Sequence, residues 1–180
     1  MTSLLNTLLR SHASDDKTWR AIYDQYLPRV FHFMCYKVGH VQIAEDLTAT
    51  TFEKAWRNKS HFKKSMGTVQ SWLFGIARHV VADHFRKPDR EEDNDALTKL
   101  NSSPSLVEDK VQKKQEFEEV FQIVSTFKVE HQELIALKYG AGLNNREIAS
   151  LTGFSETNVG TILSRLVNKI RKELGVEHER

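Results

Sequence analysis

Six side chains able to hydrogen-bond a base edge or a phosphate crowd into residues 155–165: Ser155, Glu156, Thr157, Asn158, Thr161 and Arg165. An asparagine amide pairs bidentately with adenine, and a guanidinium pairs with guanine or with phosphate. Lys169, Arg171 and Lys172 continue the basic character and suit phosphate contact, although a solvated helix face has the same composition. The residue types that do covalent or metal chemistry do not assemble in the same way. Glu45 and Asp46 are adjacent on a helix, so their carboxylates do not converge on one substrate. The 8 histidines are scattered, and with 1 cysteine they show no zinc spacing. No glycine-rich phosphate loop is present. The chemistry to expect is recognition of a polyanion, with no catalysis and no cofactor.

The elements that must carry these side chains are legible around them. Asn144 can cap a helix, and Glu147, three residues on, completes a capping box. Ala149 is small where two helices would touch. Gly153 falls where the first helix must stop, a place that favours a left-handed residue. Phe154 would tuck under the turn and Ser155 would cap the next helix. That helix carries Val159, Leu163, Leu166, Ile170 and Leu174 at spacings of four, three, four and four. Two helices joined by a short glycine-containing turn form a helix-turn-helix, which places its second helix in a major groove. An ordinary helical hairpin would share the small residue and the glycine.

Composition bounds the rest. With 180 residues, one or two domains are expected. Cys35 lies in an apolar, aromatic run and should be buried and inert; a single cysteine fits a reducing compartment. Leu4, Leu5, Leu8 and Leu9 make too short a run for a membrane span and lack a cleavage pattern, so a cytoplasmic protein without membrane insertion is expected. The net charge of +2 hides an asymmetry. Residues 1–88 carry 13 Lys/Arg against 7 Asp/Glu, residues 89–119 carry 5 against 10, and residues 120–180 carry 8 against 7.

Trp19, Ile22, Tyr23, Tyr26, Val30, Phe31, Phe33 and Met34 recur at mostly helical spacing from about Asp15 to Lys37, with Pro28 predicted to kink or restart the helix and Gly39 to end it. A second helix is predicted from about Ile43 to Arg57. Its apolar line is Ala44, Leu47, Thr51, Phe52, Ala55 and Trp56, and its other face is charged. A third spans about Val69 to Arg86, with Trp72, Ile76 and Phe85 assigned to the core, and Pro88 stops it. The stretch through Asp89-Arg90-Glu91-Glu92-Asp93 to Ser103-Pro104 reads as a flexible acidic linker. Leu134, Ile135, Leu137 and Tyr139 mark a helix leading into the helix-turn-helix. The expected fold is therefore all-α: two small helical domains, 14–88 and 113–175, joined by a linker over 89–112, with the helix-turn-helix in the second.

Four segments, in order, carry a resemblance. Tyr26-Leu27-Pro28-Arg29-Val30-Phe31 resembles the start of a known domain. Ala44-Glu45-Asp46-Leu47-Thr48, Thr51-Phe52 and Ala55-Trp56-Arg57 look like its polymerase-binding helix. Trp72-Leu73, Ile76-Ala77-Arg78 and Asp83-His84-Phe85-Arg86-Lys87 look like its downstream-promoter helix. The C-terminal helix-turn-helix is similar to its upstream-promoter module. The family is the extracytoplasmic-function group of bacterial RNA polymerase sigma factors, and the resemblance covers about residues 14–88 and 113–174.

The resemblance implies binding to core RNA polymerase, through the clamp coiled coil of its largest catalytic subunit, at Glu45, Asp46, Ala49, Thr50, Glu53 and Arg57. Relatives often carry Gln-Glu where this chain has Ala49-Thr50. It further implies that Phe62, Lys63, Lys64, Arg78, His79, Arg86 and Lys87 read and melt the downstream promoter element as single-stranded DNA. An asparagine is frequent at the position of His79. Double-stranded DNA of the upstream element would meet Ser155, Glu156, Thr157, Asn158, Thr161, Arg165 and Lys169. Ile162, where relatives are often basic, should pack. An anti-sigma factor is the implied inhibitor, and the two domains should tumble semi-independently when free. A helix-turn-helix regulator with a dimerising or sensing N-terminal domain is the alternative. It would need a different first domain, and a receiver would need alternating strands and helices that are not found. A helical protein-binding adaptor is a third class, set apart by an absence of DNA binding.

Overall fold

A computed structural model describes residues 16–63, 67–86 and 117–176, and every described element is helical. The chain runs α1 (Asp16–Val38), α2 (Val41–Asn58), a 3-10 turn (Lys59–His61) and α3 (Val69–Arg86). It resumes with α4 (117–125), then α5 (Val129–Ile135), a π-helical turn (Ala136–Gly140), α6 (Asn145–Thr152) and α7 (Glu156–Glu173). The predicted acidic linker lies outside the described residues.

Pro28 does not restart the first helix: α1 passes through it. Proline removes a donor and leaves the carbonyl four residues back unpaired, which is tolerable where water reaches. Pro28 and Asp24 are both exposed, so the freed carbonyl belongs to the wet side of the helix. The same helix buries Ile22, Tyr26, Val30, Phe33 and Met34 on its other face. Cys35 is half-buried, and burial pushes its thiol up to about 12, so it stays protonated.

The second helix starts two residues earlier than its apolar pattern predicts. His40 caps it, its ring nitrogen accepting from the Ile43 N–H at 3.4 Å. Histidine is not among the favoured capping residues, so the sequence carries no start signal there. Thr48 and Thr51 are buried on the packed face, their hydroxyls donating to the carbonyls of Ala44 and Leu47 at 2.6 and 2.7 Å. That internal bonding lets a hydroxyl sit among apolar neighbours without an unmet donor.

Aromatic assignments change on α3 and in the π-helical turn. Trp72 and Ile76 pack against the core, but Phe85 is 62% exposed at the end of α3. Tyr139 is 51% exposed, because the π-helical turn shifts the face it would occupy in a regular helix. Leu134, Ile135, Ala136 and Leu137 are buried as predicted.

The described helices of residues 16–86 and 117–176 share one contiguous core. α1 packs on the π-helical turn, and at their contact a Cβ on Gly140 would stand 2.9 Å from Phe33 Cα and 2.9 Å from the Tyr36 ring. A Cβ on Gly39 would overlap the Phe121 ring. Tyr36 meets Phe117 edge-on at 5.3 Å between centroids. The described residues of the two halves bury a common seam.

Two glycines with open space around them test backbone conformation alone, and their predicted effects have opposite signs. Gly153 ends α6 at φ +80°, and Gly75 lies inside α3; a Cβ on either meets nothing within 4 Å. Gly153→Ala should lower unfolding stability by about 1 kcal/mol, the cost of a left-handed L-residue. Gly75→Ala should raise it by about 0.5–1 kcal/mol through helix propensity. Urea midpoints at constant m-value read both; a shared sign would contradict these backbone assignments.

Candidate nucleic-acid and protein-docking faces

The outward face of α2 presents Glu45, Asp46, Ala49, Glu53 and Arg57, all exposed, with Thr50 half-buried beside them. The other side buries Ala44, Leu47, Thr48, Thr51, Phe52 and Ala55, which fixes the rotation of the helix and so the direction of the charges. Arg57 pairs with Glu53 at 2.6 Å across one turn, but at 74% and 58% side-chain exposure the pair adds little stability. Thr50 donates to the Asp46 carbonyl at 2.8 Å and so turns its hydroxyl back on its own helix.

Sequence reasoning placed Trp56 with the core. It is 37% exposed, edge-on to Trp19 at 5.3 Å, and Lys59 lies over its ring. Glu45, Ala49 and Trp56 are spaced four and seven apart, so the helical period puts all three on one side. That spacing was the signal that the charged face includes a large aromatic.

On α3, His79 and Arg86 are exposed. His79 Nδ1 lies 2.7 Å from the Gly75 carbonyl, which directs Nε2 away from that bond. Arg86 pairs with Asp83 at 2.5 Å, and Asp83 also takes a bond from Lys54 at 3.2 Å. The Lys54 bond, helped by the charges of Lys54 and Arg86, holds the Asp83 carboxyl below its ordinary range. Arg78 is committed elsewhere: it meets Glu133 at 2.5 Å and donates to the Leu151 carbonyl, both in the C-terminal half. Phe62 is half-buried against Trp72, at 5.3 Å between centroids, while Lys63 is exposed. Lys64 and Lys87 lie outside the described residues.

A groove along the seam is lined by Phe33, Lys37, Arg78, His79, Phe85, Val129 and Glu133. Burial lowers the pKa of Lys37 from its ordinary value, Glu133 acting against the shift and Arg78 with it.

In the C-terminal half the caps form as the residues predict. Asn144 accepts from the Glu147 N–H at 2.9 Å, and Glu147 returns the bond to the Asn144 N–H at 2.9 Å. Ser155 accepts from the Asn158 N–H at 3.2 Å and starts α7. Val159, Leu163 and Leu166 are buried, and Ala149, Phe154, Ile162 and Ile170 pack against the core. This leaves Glu156, Thr157, Asn158, Thr161 and Arg165 exposed.

An open cleft between α6 and α7 brings together Glu156, Thr157, Thr161 and Arg165. It adds Asn145, Gly160 and Ser164, which the sequence reading did not select, and leaves out Asn158. Asn145 is held by Lys138 at 3.0 Å, and a Cβ on Gly160 would stand 3.2 Å from its amide nitrogen. Its position at the first helical residue beside a cap gave no cue, because its partners come from other elements. Arg146 pairs with Glu156 at 3.3 Å. Lys169 points away from this cleft: it reaches Glu173 at 3.7 Å and lies over the Phe127 ring at 4.9 Å.

Among the described residues no group of three His, Cys, Asp or Glu side chains could hold a metal ion, and no helix is long and apolar enough to cross a membrane.

The family model for sigma-70 region 2 matches residues 22–91, a span that contains the α2 face and α3. The extracytoplasmic-function RNA polymerase sigma factor BldN of Streptomyces coelicolor is 28% identical over 95% of this chain and 66% of its own length. The RNA polymerase sigma factor YlaC of Bacillus subtilis is 23% identical over 88% of this chain and 92% of its own. The chain thus spans about two thirds of the first relative and nearly all of the second. Among solved structures, the sigma factor RpoE of Bartonella quintana, in complex with the anti-sigma factor NepR, shares the fold at a TM-score of 0.66, with 23% identity over 90% of this chain and 99% of that one. The region 2 match and these relatives make the chain similar to extracytoplasmic-function sigma factors of the sigma-70 family.

Proposed function

We infer that this protein is a sigma factor: it binds core RNA polymerase and directs it to promoters to initiate transcription. The observation that carries the reading is one chain holding both the sigma-70 region 2 match and, beyond it, a cleft of base-reading side chains on a capped helix pair. On this reading residues 14–88 act as a region 2-like domain and 113–175 as a region 4-like domain, with 89–112 as the linker. The capped α6, the left-handed Gly153 and α7 serve as a helix-turn-helix whose second helix enters the upstream element.

The polymerase docks on Glu45, Asp46, Ala49, Thr50, Glu53 and Arg57. A charged stripe beside an apolar face gives electrostatic register to a polar coiled coil, and Trp56 adds area at its edge. His79, Arg86 and the neighbouring lysines take the downstream single strand, where a cationic track and aromatic surface hold unstacked bases. The chain supplies recognition, and the polymerase supplies the chemistry. Its place of work is the cytoplasm, with the polymerase. An anti-sigma factor is the partner proposed to restrain it; the likeness to a sigma factor in such a complex supports this.

Two predictions separate the surfaces. Asp46→Arg reverses an exposed charge without touching the core and should weaken core-polymerase affinity at least about tenfold, roughly 1.4 kcal/mol; unchanged affinity in a folded variant would reject this docking face. Arg86→Gln in the polymerase complex should lower the slope of log affinity against log salt by about 0.7 on a single-stranded oligonucleotide. An unchanged slope would remove Arg86 from the DNA contact.

A further inference from the structure

The open cleft between α6 and α7 holds one side chain whose orientation is fixed from outside it. Asn145 is half-buried at the first residue of α6, and Lys138, on the π-helical turn, donates from Nζ to its Oδ1 at 3.0 Å. An ammonium can only donate, so the amide oxygen faces Lys138 and the amide nitrogen faces elsewhere. It faces α7: a Cβ on Gly160 would stand 3.2 Å from Asn145 Nδ2. Thr157, Gly160, Thr161 and Ser164 line the cleft at spacings of three, one and three, so they share one face of α7. The glycine notches that face where the amide nitrogen stands against it.

Two other polar groups of the cleft are already engaged. Glu156 pairs with Arg146 at 3.3 Å, and the Thr161 hydroxyl donates to the Thr157 carbonyl at 3.0 Å. Asn145 Nδ2 donates to no acceptor among the described residues, because the one side-chain bond of Asn145 runs through Oδ1. A side-chain amide ordinarily reads adenine, offering an acceptor to N6 and a donor to N7 together. Asn145 cannot do this while Lys138 holds its oxygen. It presents donors alone, and the base that offers two acceptors side by side in the major groove is guanine, through O6 and N7.

We propose that Asn145 is a further specificity-determining residue of the upstream-element site, reading a guanine through Nδ2, with Lys138 and Gly160 as the residues that position it. This rests on the sigma-factor reading above, in which the cleft enters the major groove. Base reading is then shared between α6 and α7. Lys138 sets which base the amide accepts, although it lies on neither helix.

The test uses the full chain bound to core polymerase and a fully randomised duplex library, with the bound duplexes sequenced and aligned on their common upstream motif. The parent should enrich a motif with a guanine column. Asn145→Ala should lower the enrichment of guanine at that one column about tenfold and leave the other columns unchanged. Asn145→Asp keeps an oxygen for Lys138 but presents no donor, so the column should turn toward cytosine, whose N4 donates. Lys138→Met frees the amide to turn and should admit adenine beside guanine. Gly160→Ala crowds Nδ2 while favouring the helix, so it should weaken the same column in a protein at least as stable. Circular dichroism checks folding, and Gly160→Ala carries the column test if Asn145→Ala does not fold. A purely structural role for Asn145 would lower binding to every sequence alike, and that result would overturn the proposal. So would a parent motif that all four variants preserve. A parent that enriches no upstream motif would sink the reading of this cleft as a promoter site, and Asn145 with it; an enriched motif with an unchanged guanine column would sink the Asn145 assignment alone.

Discussion

Backbone carbonyls at helix ends are the groups this fold must satisfy, and two arginines from α1 and α3 satisfy them across the chain. Without Arg29 the carbonyls of Ala141 and Gly142 would lose their side-chain donor where the polypeptide turns from the π-helical segment toward α6. The contact of Gly140 with Phe33 brings the two backbones together there, and the bond to Gln70 keeps the guanidinium in place. The positions of α5, α6 and α7 relative to the first three helices follow from this junction. So does the commitment of Arg78, which lies at the same seam and finds its partners on α5 and α6.

Local features of the sequence proved readable because their causes are local. The Asn144–Glu147 capping box, the left-handed Gly153 and the Ser155 cap involve partners three or four residues apart, so the sequence displays them directly. The apolar stripe of α7 is legible for the same reason: Val159, Leu163 and Leu166 repeat at the helical period and are buried. The charged face of α2 also stands where the pattern put it.

What stayed hidden depends on distance or on a break in the period. Arg29 and Ala141 are 112 residues apart, and nothing in either neighbourhood names the other. The pairing of Arg78 is hidden for the same reason, because its partner Glu133 lies 55 residues away. The π-helical turn moved Tyr139 outward, and Phe85 stands in the open in the last turn of α3. His40 capped α2 against its residue type's preference. Asn145 joined the α6–α7 cleft through Lys138 and Gly160, again partners on other elements.

A sigma factor gives polymerase its promoter choice. The direct measurement is in-vitro transcription on fragmented genomic DNA with bacterial core polymerase, with and without this protein, followed by mapping of transcript starts. New starts that share two spaced upstream elements should appear only when the protein is added. No new starts, with active core polymerase and folded protein, would contradict the sigma-factor reading and favour a helix-turn-helix regulator that binds duplex DNA without a sigma role.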